Sequence, residues 1–269
     1  MGYVVIIRPI NCFIASASVL VGAWIGQSII FSPTLLLACL IAFVVCAFGN
    51  IINDLSDIEI DRVNNPQRPL VAGTVNKTAV IVVALLFAAL ALISALSLGF
   101  LPFLLVGIAL SLLLLYSIKL KRTLTANFLV AFVSGLSFVL GGLVVANTVC
   151  IVPLVFSLFV HPPREIIKDV IDLKGDVHAG VSSFPIRFGT ERSFTIGALF
   201  VGILLILLPF PFFLQLLELR YILIVLIGTY PLLLYTFIKL LKKPKENELP
   251  ALSTVLKITM GIGLVSMIP

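Results

Sequence analysis

A chain of 269 residues that is 61% hydrophobic, 11% charged and of mean hydropathy +1.24 is not a water-soluble domain, in which apolar residues make up about 45–50% and charged ones about 25%. Its net charge of +6 fits the excess of Lys and Arg in cytoplasmic loops better than a nucleic-acid partner, and the sequence gives no cleavable signal peptide, because the first apolar stretch runs on into a full span. At roughly 20 residues per crossing, little room is left for a separate soluble domain.

In chain order, the predicted spans cover 9–30, 33–53, 76–98, 101–118, 124–145, 148–165, 193–213, 219–240 and 251–268. The expected fold class is all-α, a polytopic membrane bundle of about nine transmembrane helices forming one domain over 1–269. In the sixth span, Pro153 and the run His161-Pro162-Pro163 predict a bend or an end. With the N-terminus inside, alternation of nine spans puts every Lys and Arg except Arg220 on the cytoplasmic side. The protein is therefore expected in the cell membrane, multi-pass, with its N-terminus and active site cytoplasmic. The four cysteines, Cys12, Cys39, Cys46 and Cys150, lie in apolar runs without metal or redox spacing and read as buried hydrophobes.

Eight of the 12 acidic residues fall in two clusters on the same predicted face, which membrane topology does not require. Asp54, Asp57, Glu59 and Asp61 follow the second span, and Glu165, Asp169, Asp172 and Asp176 follow the sixth. Their separation of nearly half the chain suggests a weak internal repeat, about 1–145 and 146–269. On a continuing helix Asn53, Asp57 and Asp61 stack at i, i+4 and i+8. Like charges so spaced repel by about 0.2–0.5 kcal/mol per pair, and a divalent cation relieves that. All the donors are hard oxygens, which suits Mg2+ held by one or two carboxylates, phosphate oxygens and water. Asp169, Asp172 and Asp176, at i, i+3 and i+7, define a second one-faced set. Two such helices facing each other could hold two or three magnesium ions around a diphosphate.

Basic and amide groups complete the candidate site. Arg68 follows Asn65-Pro66-Gln67, a turn expected to bring it back over the first acids. Tyr116 and Lys119 end the fourth span at i, i+3, before Lys121 and Arg122. Such cations neutralise a leaving diphosphate or an anionic acceptor; Lys174 and Arg192 are weaker candidates. Asn11, a turn into the first span, either bonds across helices or faces a polar cavity. Asn147 reads as interfacial, His178 as solvated and His161 as structural.

The pattern Asn53-Asp54-x-x-Asp57-x-x-x-Asp61 resembles the first signature of the UbiA superfamily of intramembrane prenyltransferases. Asn65-Pro66-x-Arg68-Pro69 with Gly73 looks like its continuation, Tyr116-x-x-Lys119 like its third element, and Asp172-x-x-x-Asp176 like its second aspartate motif. Arg8-Pro9-x-Asn11 and Arg164-Glu165-x-x-Lys168-Asp169 look like the archaeal branch that builds ether-lipid cores, although the latter run is shared with chlorin-prenylating members. The chain has Asn64-Asn65 where members acting on aromatic acceptors often carry Arg-Thr.

The resemblance implies transfer of a geranylgeranyl group from its diphosphate to the hydroxyl of geranylgeranylglyceryl phosphate, with membrane lipid around it and no nucleic acid or obligatory protein partner. It implies Asp54, Asp57, Asp61, Asp172 and Asp176 as catalytic, with Asn53 joining Asp57, Asp61, Asp172 and Asp176 as magnesium ligands. Asn11, Asn53, Arg68, Tyr116, Lys119 and Asp169 are implied as substrate-binding. The alternatives are a quinone-precursor or chlorin acceptor, and an ion-coupled transporter. Charges at helix ends rather than at the bilayer midplane argue against transport. A CDP-alcohol phosphotransferase would need Asp-Gly and Ala-Arg spacings that are absent.

Overall fold

The computed structural model describes residues 2–120, 123–173, 177, 180 and 182–269; the side chains of Val63 and Asn64 are also outside the description. The described chain is helical. By length and composition, eight helices can cross a membrane, with a shorter apolar helix, Pro9–Trp24, beside them. Tertiary contacts divide the chain into two units. One is Met1–Ala23, Ile30–Lys121 and Leu136–Cys150; the other is Trp24–Ile29, Arg122–Gly135 and Ile151–Pro269.

The first unit begins with α1 (Gly2–Ile7) and α2 (Pro9–Trp24). Arg8 separates them at φ 53, a left-handed conformation usually left to glycine. The predicted first span ran to residue 30, but α2 stops at Trp24. Gly26, at φ 69, turns the chain there.

Next comes α3 (Pro33–Ser56). The Ser32 side chain accepts a hydrogen bond from Leu35 N, and Pro33 opens the helix. A short α4 (Ile58–Asn64) follows. α5 (Lys77–Leu98) is capped by Asn76, which accepts from Ala79 N. Gly99, at φ 120, makes the one-residue turn into α6 (Phe100–Ile118). α3, α5 and α6 pack against one another, and α1 lies on α3. Their inner faces bury Leu35, Ile41, Ala84 and Val106, while Leu85, Ile93 and Phe100 stay exposed as a lipid-facing surface would require.

α2 and the second half of α7 (Ala126–Val145) meet backbone to backbone through glycines. A Cβ on Gly22 would stand 2.0 Å from the Phe138 carbonyl oxygen, and one on Gly141 would stand 1.9 Å from that of Val19. Such contact replaces the hydrophobic drive that lipid cannot give. Asn147 is buried rather than interfacial. Its amide donates to the carbonyls of Gly22 and Ala23 at 3.4 and 3.1 Å, tying down the end of α2.

The second unit is built on α8 (Ile151–Ile171), α9 (Phe184–Phe188), α10 (Thr190–Leu207), α11 (Leu219–Leu241, with a π-helical stretch at Val225–Thr229) and α12 (Leu249–Ser266). α8 packs on α10 and α12, and α11 packs on the same two. Ser157 in α8 donates to the Ala131 carbonyl at 2.7 Å. α8 does not end at Pro162-Pro163. It runs two turns further, because Pro162, Pro163, Ile166 and Ile167 are all buried and packing outweighs the two missing ladder donors.

Gly141→Val should force α2 and α7 apart and cost about 1–3 kcal/mol, as overpacking does. Gly107→Ala, whose Cβ would have only Leu92 Cδ2 at 3.9 Å, should be neutral. Thermal denaturation of the two purified variants in detergent checks this: equal midpoints would contradict the close approach.

Candidate active site

The first acidic set forms where α3 gives way to α4. Asp57 sits between the helices at φ −95 and ψ 1, so the helix does not continue unbroken. Backbone bonds nonetheless run through it, from Asp57 N to Asn53 O at 3.0 Å and from Asp61 N to Asp57 O at 2.8 Å. The i, i+4, i+8 order of Asn53, Asp57 and Asp61 therefore survives. All three carboxylates are buried, with Asp54 6%, Asp57 5% and Asp61 4% exposed.

Two arginines answer that charge. Arg68 Nη1 donates to Asp61 Oδ2 at 2.6 Å and to Asp54 Oδ1 at 3.3 Å, so the turn after Asn65 does return it over the acids. The loop is closed by Arg68 N to Asn65 O at 3.0 Å and Ala72 N to Arg68 O at 2.8 Å. Arg8 makes the second ion pair, to Asp54 Oδ1. Amides support the remaining oxygens. Asn53 Nδ2 donates to Asp57 Oδ2 at 3.1 Å, and Asn65 Nδ2 donates to Asp61 Oδ1 at 3.3 Å.

Arg8 was named in a sequence pattern but not as a site residue. Its left-handed backbone, which costs of order 1–3 kcal/mol, aims the guanidinium at Asp54. The segment before it is held firmly. Asn50 Nδ2 donates to the Ile7 carbonyl at 2.8 Å, and Asn76 N donates to Tyr3 Oη at 3.4 Å. α1 is thus anchored both to α3 and to the end of the Arg68 loop.

Asn11 is exposed on α2 with its N–H bonded to the Arg8 carbonyl at 2.9 Å, Tyr116 is half-buried near the end of α6, and Lys119 caps that helix with an exposed side chain.

In the second unit, Asp169 lies in the last turn of α8 and accepts from Asn127 Nδ2 at 3.1 Å, a partner that sequence spacing could not reveal. Asp172 is exposed in the turn after α8, its N–H still bonded to Lys168 O at 2.9 Å. Glu165, also outside the predicted site, is buried and ion-paired to Arg164 at 2.7 Å and to Lys168 at 3.2 Å. Arg192 is exposed. Asp176, Lys121, Arg122, Lys174 and His178 lie outside the described residues.

The donor chemistry of both sets fits magnesium. Among the described residues no three Asp, Glu, His or Cys side chains are grouped to hold a metal ion unaided. Magnesium asks for only one or two carboxylates when phosphate and water complete its shell. Asp57 and Asp61 offer buried carboxylate oxygen, and the first set keeps one negative charge more than Arg8 and Arg68 supply.

Losing one partner of a buried ion pair costs about 3–5 kcal/mol, and Arg68 is partly solvated, so Arg68→Ala should cost roughly half that. Added magnesium should restore part of the loss. Detergent unfolding with and without the ion tests this, and an Arg68→Ala midpoint equal to wild type would contradict the charge balance.

Residues 15–258 match the UbiA prenyltransferase family. The digeranylgeranylglyceryl phosphate synthase of Methanococcus aeolicus is 36% identical over 99% of this chain and 96% of its own length. A solved digeranylgeranylglyceryl phosphate synthase structure superposes with a TM-score of 0.83 at 32% identity, over 99% of this chain and 96% of that one. A UbiA homolog from Archaeoglobus fulgidus, bound to DMAPP and Mg2+, shares the fold at a TM-score of 0.72, with 22% identity over 99% of both chains.

Proposed function

Because the chain belongs to the UbiA prenyltransferase family, we propose that this multi-pass membrane protein moves a geranylgeranyl group from geranylgeranyl diphosphate to the hydroxyl of geranylgeranylglyceryl phosphate, at the cytoplasmic face. The observation that carries the choice of acceptor is the 36% identity, over nearly the whole of both chains, with a synthase of the archaeal diether lipid phosphate. Both substrates are lipids with ionic heads. An enzyme whose apolar helices lie in the membrane and whose charged groups gather at helix ends can hold both parts at once.

In this reading Asn53, Asp57, Asp61, Asp172 and Asp176 would hold magnesium, with Asp54 and Asp169 in support. Magnesium, when bound, neutralises the departing diphosphate and so lowers the barrier to breaking the allylic C–O bond. Arg68 and Lys119 add fixed positive charge, and Asn11 and Tyr116 orient phosphate groups. Arg8 holds Asp54 in place through their ion pair. Apolar and aromatic side chains shield the allylic cation from water until the acceptor oxygen attacks. The hydroxyl proton then leaves to the released diphosphate, a carboxylate or water.

Labelled geranylgeranyl diphosphate, supplied to purified protein with geranylgeranylglyceryl phosphate or with an aromatic acid acceptor, tests the assignment. Label should appear only in the diether phosphate; prenylation of the aromatic acid instead would overturn it. Asp57→Ala and Asp172→Ala should each lower turnover by about 100-fold or more, in the range of a lost transition-state electrostatic group, while the protein remains monodisperse. Near-normal turnover in either would remove that acid from the site. Lys119→Ala should raise KM for one substrate, and unchanged KM for both would exclude it.

A further inference from the structure

The cytoplasmic half of α8 carries charged groups that the proposed transfer has not used. At 100° per residue, His161, Arg164, Glu165, Lys168, Asp169 and Asp172 fall within an arc of about 140° on one face of the helix. The remainder of that stretch is apolar: Pro162, Pro163, Ile166, Ile167 and Val170 are buried on the other side. A charged stripe on a membrane-spanning helix is costly against lipid and marks a polar cavity or path. Asp169 and Asp172 end the stripe and belong to the second acidic set. His161, Arg164, Glu165 and Lys168 lie deeper.

Taken by themselves, those four residues carry one positive charge in excess, while Asp169 and Asp172 bring the carboxylates of the whole stripe to three against two cations. Glu165 accepts from Arg164 Nη1 at 2.7 Å and from Lys168 Nζ at 3.2 Å, so one carboxylate faces two cations. Arg164 Nε and His161 Nδ1 are buried with no hydrogen-bond partner. A guanidinium with an unsatisfied buried donor beside a half-exposed lysine is matched by an anion with several acceptor oxygens. A phosphate monoester has the charge and the three oxygens. The donor diphosphate, drawn to carboxylates through magnesium, matches the opposite imbalance found in the first acidic set.

We propose that Arg164 and Lys168, backed by His161, bind the phosphate of the lipid acceptor and make the enzyme select a phosphorylated over an uncharged glyceryl lipid. Glu165 holds the two cations in position in the absence of acceptor. The inference rests on the glyceryl phosphate reading above, and it extends that reading from the reacting hydroxyl to the other end of the acceptor's head group.

Equilibrium binding of radiolabelled geranylgeranylglyceryl phosphate and of geranylgeranylglycerol to the full chain in nanodiscs tests it, alongside KM for both substrates. Wild type should favour the phosphate lipid by about 30-fold or more, and Arg164→Gln and Lys168→Met should each cut that preference about tenfold, the scale of one charge-assisted contact. KM for geranylgeranyl diphosphate should change by less than about twofold, and Lys168→Arg should retain the preference, because it keeps the charge that a phosphate needs. A wild type that binds both lipids equally, variants that keep the preference, or a donor KM that rises in step would each overturn the proposal. If Arg164→Gln does not fold, Lys168→Met decides alone, since the Lys168 side chain is 45% exposed and carries little packing. Phosphate-selective binding that the variants lose, without any transfer, would refute the transferase reading and leave this site standing.

Discussion

Three carboxylates buried side by side at the end of a membrane-spanning helix need cations, and the placement of the first unit's N-terminal elements follows from that need. Asp54, Asp57 and Asp61 cannot spread apart, because the backbone bonds through Asp57 hold them in helical register. The cations come from both sides in sequence: Arg8 from before α2 and Arg68 from the loop after α4. Each arrives by a constrained route. Arg8 adopts a left-handed backbone, and the Arg68 loop folds back on its own backbone bonds. Asn50 and Tyr3 then fix α1 at both ends, so a segment with no acid of its own becomes part of the acidic site.

The two acidic sets differ in a way that residue counting alone hides. The first is deeply buried, and its acids outnumber the arginines paired with them. On α8, Arg164 and Lys168 share the single carboxylate of Glu165, and the acids Asp169 and Asp172 follow about a turn later at the helix end. A site short of positive charge attracts a metal ion; one short of negative charge attracts a phosphate. Prenyl transfer to a phosphorylated lipid needs both kinds of site, since one phosphate group has to depart and the other has to stay.

Much of this was legible in the sequence, for physical reasons. Apolar runs of about 20 residues dictate spans, and Ser32-Pro33, Asn76 and Gly99 mark helix boundaries within a residue or two of where they lie. The i, i+4 spacing of the first acids and the turn chemistry before Arg68 are local, and both survive in three dimensions. What escaped was non-local or a matter of packing. Arg8 lies 46 residues from Asp54, and Asn127 lies 42 from Asp169, so no window of sequence joins them. α8 continues through two prolines because its far face is buried, which proline rules alone do not encode. Asn147 looked interfacial from its position near a span end, yet it spends its amide on the carbonyls that finish α2.

The arginine pairs also bear on how a diphosphate would be received. Asp61 spends one oxygen on Arg68 and the other on Asn65, and a single oxygen of Asp54 serves both arginines. A second cation drawn to Asp61 shares the same negative charge and so weakens its hold on Arg68. Arg68 in turn gives up a carboxylate only for an anion that serves it at least as well, and a diphosphate oxygen does so. If magnesium and a diphosphate bind here, Asp54 and Asp61 would exchange guanidinium for metal as Arg68 exchanged carboxylate for phosphate. Arg8 and Arg68, which offset part of the first set's charge, are then the groups a diphosphate would engage.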